Sequence, residues 1–257
     1  MPTVHSITDK TLTLEILNQV LSGNIKIELS QDAKEKIQKC RQYLDDKLKK
    51  STEPIYGINT GFGSLYNKNI SYDELEKLQD NLVKSHACGT GPEVPAEIVK
   101  LMLFLKVQSL SYGYSGVQVQ TVERLADYFN NDILPTIYEM GSLGASGDLA
   151  PLAHLCLPLI GFGEVKTDGK TLSGSALNKQ FKWDVIHLQA KEGLALLNGT
   201  QFMSSYGTWC TLHAHRILKL ANRIGALSLD AFDGRIEPFH EHVHIIRPQK
   251  GQIKVAA

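Results

Sequence analysis

Residues 192–232 contain no proline and mix leucines with Ala, Gly and Ser, which predicts one long helix packed closely by its neighbours. The neighbours are legible in the same pattern. Gln31–Lys50 carries Ile37, Leu44 and Leu48 on one face, residues 72–85 are amphipathic, and residues 98–110 are apolar almost all round, as expected of a core helix. The longest apolar-rich stretch, residues 149–163, contains Pro151, His154 and Pro158. It falls short of the run of about 20 apolar residues that spans a bilayer and reads as a buried helix. Strand signals are minor: Ile25, Ile27 and Leu29 alternate with Lys26 and Glu28, and residues 164–173 surround an Asp168-Gly169 hairpin turn. No long-period repeat appears. The expected fold is mainly α, a long-helix bundle with a few short strands.

A chain of 257 residues with 42% hydrophobic content can bury a sizeable core. Its 27 basic and 27 acidic residues balance, so no global field recruits nucleic acid or an anionic membrane. The expected partner is a small molecule or a protein. Cys40, Cys88, Cys156 and Cys210 lie far apart with no Cys-x-x-Cys pair, which suits reduced, mostly buried thiols rather than a disulfide framework. The first residues lack a basic segment leading into an apolar one, so a cytoplasmic location is expected. The chain stops at Ile253-Lys254-Val255-Ala256-Ala257 without a recognisable completed element, as a piece of a longer protein would.

The densest unusual segment is Gly141-Ser142-Leu143-Gly144-Ala145-Ser146-Gly147-Asp148-Leu149-Ala150-Pro151. Three glycines precede an apolar run, Asp148 can cap the first turn of the helix that follows, and Pro151 is tolerated there because first-turn amides lack intrahelical partners. From spacing alone, a glycine-rich loop entering a capped helix accounts for it. The segment lacks the final glycine of a G-x-S-x-G nucleophile elbow and the Lys-Ser or Lys-Thr of a P-loop.

Gly144 to His154 resembles the signature of the histidine and phenylalanine ammonia-lyase family, whose Ala-Ser-Gly cyclises into a methylidene-imidazolone prosthetic group. Three further segments resemble the same family in the same order. Tyr56-Gly57-Ile58-Asn59-Thr60-Gly61-Phe62-Gly63 matches its mobile loop with the catalytic tyrosine. Asn81-Leu82-Val83-Lys84-Ser85-His86 matches its substrate-selectivity segment. Glu192-Gly193-Leu194-Ala195-Leu196-Leu197-Asn198-Gly199-Thr200 matches the segment whose asparagine holds the prosthetic group.

The resemblance implies a self-derived cofactor from Ala145, Ser146 and Gly147, flanked by Asp148, with no external cofactor and no metal. Small residues suit a strained loop in which the Gly147 nitrogen must reach the Ala145 carbonyl, and loss of the Ser146 hydroxyl would leave an electrophilic carbon. Tyr56 is the implied base, although an ordinary phenol titrates near pH 10 and needs neighbours that lower it. Asn198 is the implied partner of the prosthetic group and substrate, an amide offering both donors and an acceptor. Ser85, His86 and Gly63 are the implied substrate-binding residues, and the Ser-His pair resembles histidine lyases. An imidazole at 86 could bond a substrate imidazole or a tyrosine hydroxyl, so tyrosine, phenylalanine and aminomutase outcomes stay open. The resemblance also implies a cytoplasmic homotetramer with shared active sites. Residues 1–257 would be the amino-terminal, prosthetic-group-bearing region. A further tyrosine, a carboxylate-binding arginine and a glutamate would lie beyond Ala257, so that this length alone would be inactive.

One rival motif is His240-Glu241-His242-Val243-His244, which satisfies the zinc-binding H-E-x-x-H pattern. Pro238 and Pro248 confine any helix there to less than three turns, and no downstream Glu or His completes a metal site.

Overall fold

The computed structural model describes residues 3–23, 25–50, 53–61, 68, 70, 71 and 74–257. The elements run β1 (Thr3–Ile7), α1 (Leu14–Leu21), β2 (Ile25–Leu29), α2 (Gln31–Lys50), α3 (Leu75–His86), β3 (Thr90–Glu93), α4 (Ala96–Ser111) and α5 (Val119–Asn130). They continue through β4 (Leu134–Pro135), β5 (Tyr138–Met140), α6 (Leu149–Cys156), a 3-10 turn (Leu157–Ile160), β6 (Glu164–Thr167), β7 (Lys170–Ser173), α7 (Gly174–Phe181), α8 (Glu192–Leu197), α9 (Gln201–Ala231), α10 (Glu241–Ile245) and α11 (Lys250–Ala256). The fold is mainly α, as the periodicity predicts. β1 and β2 pair in parallel with Ile7 opposite Leu29, β3 and β5 pair antiparallel, and β4, β6 and β7 form a three-stranded antiparallel sheet. Among the described residues no helix is long and apolar enough to cross a membrane.

The chain divides into two compact units, Met1–Thr208 and Trp209–Ala257. The first holds the core. α4 is its centre: Leu101, Met102, Leu103, Phe104 and Val107 are all fully buried, each apolar side chain worth about 1.5–3 kcal/mol on leaving water. Burial runs round its whole circumference and takes in Lys106 and Gln108, so the core-helix expectation holds with two polar residues inside it. In the second unit, Trp209 stacks on His213 with ring centres 3.9 Å apart. His244 is buried there, and its Nδ1 bonds Gln252 Nε2 at 2.9 Å.

Three expectations change. The long helix of 192–232 is interrupted at residues 198–200: Asn198 is extended (ψ 139°) and Gly199 takes φ +141°, a conformation that L side chains rarely adopt. The buried stretch 149–163 is a short α-helix continued by a 3-10 turn, because Pro158 cannot donate to an α-helical ladder. Of the cysteines only Cys156 is buried; Cys88 and Cys210 are exposed and Cys40 is intermediate. The zinc reading also loses its geometry, since α10 starts at Glu241 and leaves His240 in the cap position, off the helix that the motif needs.

Candidate active site

Ala145 and Ser146 lie exposed on a loop whose backbone folds onto itself, with Gly144 and Ala145 each bridged to Gly147. Gly144 and Gly147 take φ of +79° and +89°, so this local fold depends on glycine. A methyl group on Gly147 would stand 2.4 Å from the Gly199 carbonyl oxygen. The same oxygen accepts the Asp148 N–H at 2.9 Å. The break between α8 and α9 therefore forms the wall against which the Ala145-Ser146-Gly147 backbone is pressed. Close approach of residues 145 and 147, no side chain at 147 and an exposed Ser146 are what backbone cyclisation requires, so the residues present fit the self-derived group.

Asp148 is buried and occupies the cap position of α6, yet it makes no side-chain bond there. Its Oδ2 instead accepts the Met203 N–H at 3.0 Å, in the first turn of α9. The capping expectation is corrected accordingly: the carboxylate satisfies an orphan amide of a different helix and ties the loop to α9 a second time. Asn198, expected within a helix, is the C-cap of α8; its N–H and its Nδ2 both donate to Leu194 O. That leaves its amide oxygen as the acceptor.

His86 ends α3 and is half-buried. Its Nδ1 lies 2.8 Å from Leu82 O. A carbonyl only accepts, so Nδ1 carries the proton and Nε2 of the neutral ring is left as an acceptor. The Ser85 hydroxyl donates to the same carbonyl at 3.1 Å, which commits it to its own helix. The segment just beyond is tied to α6 and to the loop of residues 141–148: Gly89 N donates to His154 Nε2 at 3.0 Å, and a methyl on Gly141 would stand 3.0 Å from Gly89 Cα. Burial lowers the His154 pKa, which keeps Nε2 unprotonated for that bond.

Tyr56 rides on a different anchorage. It is 59% exposed on a turn with Gly57 at φ +75°. Ile58 packs with Leu44, Leu75 and Ala190, and Asn59 spans the turn by accepting from Ile55 N at 2.6 Å and donating to Glu53 O at 3.0 Å. Gly63 lies outside the described residues. The described contacts thus join residues 85–89, 141–148 and 198–203, and Tyr56 stands on a turn anchored through Ile58 and Asn59.

Sequence reasoning missed three contributors to this site: the Gly199 carbonyl, His154 and Lys106. The Asn198-Gly199 pair was a breaker signal outweighed by flanking leucines. Lys106 was visible as a charge inside an apolar helix. Its Nζ donates to Ala195 O and Asn198 O, each at 2.9 Å.

The family model for aromatic amino acid lyases matches residues 12–257. Over 253 residues the chain is 44% identical to histidine ammonia-lyase 2 of Fusobacterium nucleatum, covering 98% of this chain and 49% of that protein. It matches the crystal structure of histidine ammonia-lyase from Trypanosoma cruzi with a TM-score of 0.91 at 34% identity, covering 99% of this chain and 50% of that one. Tyrosine aminomutase from Streptomyces globisporus matches with a TM-score of 0.91 at 34% identity, over 100% and 48% of the two chains. The chain spans about half the length of the curated relatives it matches.

Proposed function

The chain belongs to the aromatic amino acid lyase family, and on that premise we propose that it is the amino-terminal, prosthetic-group-bearing region of a histidine ammonia-lyase. The reaction is the elimination of ammonia from L-histidine to give trans-urocanate. The observation that carries the reading is the seating of Gly147 and Asp148 on the Gly199 carbonyl, which pre-folds Ala145-Ser146-Gly147 for cyclisation. Cyclised, Ala145-Ser146-Gly147 would supply an electrophile for the substrate amine, the methylidene-imidazolone, chemistry unmodified side chains lack, with no external cofactor.

The chain's own residues then divide the work. His86 Nε2 accepts from the substrate imidazole N–H, with Ser85 fixing the carbonyl that orients it. Asn198 offers its amide oxygen to the substrate side of the loop. Tyr56 takes the weakly acidic β-proton as the base. Gly63, which lies outside the described residues, is assigned to substrate binding on the resemblance alone. The remaining half present in the relatives supplies further site residues, so residues 1–257 alone turn over no substrate. The working enzyme is a cytoplasmic homotetramer acting on a small amino acid, with no nucleic-acid or membrane partner.

The equal likeness to a tyrosine aminomutase supports a second reading, the same electrophile acting on tyrosine. The test supplies a chain extended through the relatives' downstream half with L-histidine, L-tyrosine and L-phenylalanine in parallel. Ammonium release and a conjugated ultraviolet product from histidine are expected. Release mainly from tyrosine or phenylalanine overturns the substrate, and a β-amino acid product without ammonium selects the aminomutase.

A further inference from the structure

Lys106 lies in α4 with 1% of its surface exposed. Lysines are seldom fully buried unless the ammonium is paired. Cys156 on α6 is an electrostatic neighbour, but burial pushes its thiol up to about 12, so it offers no thiolate. The partners are the Ala195 and Asn198 carbonyls, at the carboxyl end of α8 where carbonyls lack intrahelical donors and the helix dipole is negative. Burial holds the amine down to about 8, which leaves it mostly protonated at neutral pH. A methionine would fill the same volume with no charge to desolvate. What the ammonium adds is two bonds, and both end on the segment where α8 gives way to α9.

One residue past that clamp the chain turns through Gly199, whose carbonyl accepts from Asp148 N and occupies the space a side chain on Gly147 would need. We propose that Lys106 is a positioning residue for self-processing: by holding Ala195 O and Asn198 O it fixes the α8–α9 break, so that Gly199 O presses Gly147 into the fold that cyclises. This rests on the reading that Ala145-Ser146-Gly147 matures. In that reaction the bond from Gly147 N to Ala145 C forms. The Ala145 oxygen leaves as water with the amide protons of Gly147 and Ser146, and the Ser146 Oγ leaves as a second water with its own proton and that of Cα. No oxidant is needed.

The test compares the full-length protein with its Lys106→Met, Lys106→Gln and Lys106→Arg variants, with circular dichroism reporting the fold. Intact mass reads the fraction that has lost two waters, and amide hydrogen exchange reads Asp148. Lys106→Met is expected to lower the matured fraction severalfold and to speed Asp148 exchange about tenfold or more. Its kcat per total protein falls in step with the matured fraction while KM is unchanged. Lys106→Arg, which keeps the donors, restores part of both readings. Normal maturation and unchanged Asp148 exchange in Lys106→Met overturn the proposal. Should Lys106→Met fail to fold, Lys106→Gln, with a shorter donor, gives the same two readings. An unshifted mass in the parent sinks the functional reading, and Asp148 exchange still decides whether Lys106 positions the break.

Discussion

The loop of residues 141–148 and the turn of residues 53–61 are held in contrasting ways. The first is fixed by backbone on backbone: Gly147 abuts the Gly199 carbonyl, Asp148 N bonds it, and Asp148 Oδ2 reaches Met203 N. The second is held mostly by bonds local in sequence, Ile58 N and Asn59 N donating to Ile55 O and the Asn59 side chain spanning from Ile55 N to Glu53 O, and it leaves Tyr56 59% exposed. On the proposed function, the contrast follows from what each would have to do. Cyclisation would be performed by the folded chain on itself, with no ligand to organise it, so its geometry would have to be built in beforehand. A base that acts on a bound substrate can be brought into line when the substrate arrives.

Gly147→Ala attacks the contrast where it is sharpest. Its methyl group would lie 2.4 Å from a backbone oxygen at a residue with φ +89°, and turnover is expected to fall to background with no loss of the two waters by intact mass. A variant that still matures would mean that the tight seat is not what prepares the loop. Tyr56→Phe attacks the other side. On the extended chain it should leave the mass shift complete while lowering kcat by about 10²–10⁴-fold; a change in maturation instead would show that the turn takes part in preparing the loop.

The smallest effect concerns His154, which links the strand after His86 to α6. Its folded pKa is depressed by burial, below the ordinary value near 6.5. Its stabilising contribution is therefore fully present above about pH 6.5 and is lost as the pH falls below that value, where the unfolded chain binds the proton first. Protonation also removes the acceptor for Gly89 N, a bond worth about 1 kcal/mol. His5 is depressed in the same direction, so the readout is a difference: His154→Leu should melt lower at pH 7.5 but lose less than the parent between pH 6.5 and 5. Parallel melting curves would assign the acid slope elsewhere.

Much of the fold was legible because burial imposes simple periods. The helix Gln31–Lys50 and the strand Ile25–Leu29 match their sequence patterns residue for residue, and the Asp168-Gly169 turn sits between β6 and β7 as expected. The start of the amphipathic segment at Tyr72 lies outside the described residues. At the candidate site, motif resemblance singled out the loop of residues 144–148, His86 and Asn198, but local sequence says nothing about partners distant along the chain. Local sequence points Asp148 at its own helix because that partner is near in sequence, whereas folding brings Met203 to it. The break at Asn198-Gly199 is hidden by the leucines around it, and Lys106, which donates to Ala195 O and Asn198 O beside it, lies 89 and 92 residues earlier along the chain.

The central claim is that this fold prepares Ala145-Ser146-Gly147 to modify itself. The most direct measurement is the intact mass of the purified, folded protein beside Ser146→Ala. The account predicts that the parent is lighter than its sequence mass by two water molecules, a deficit localised to the peptide carrying residues 145–147, and that Ser146→Ala does not lose both. A folded parent at its full sequence mass would contradict it.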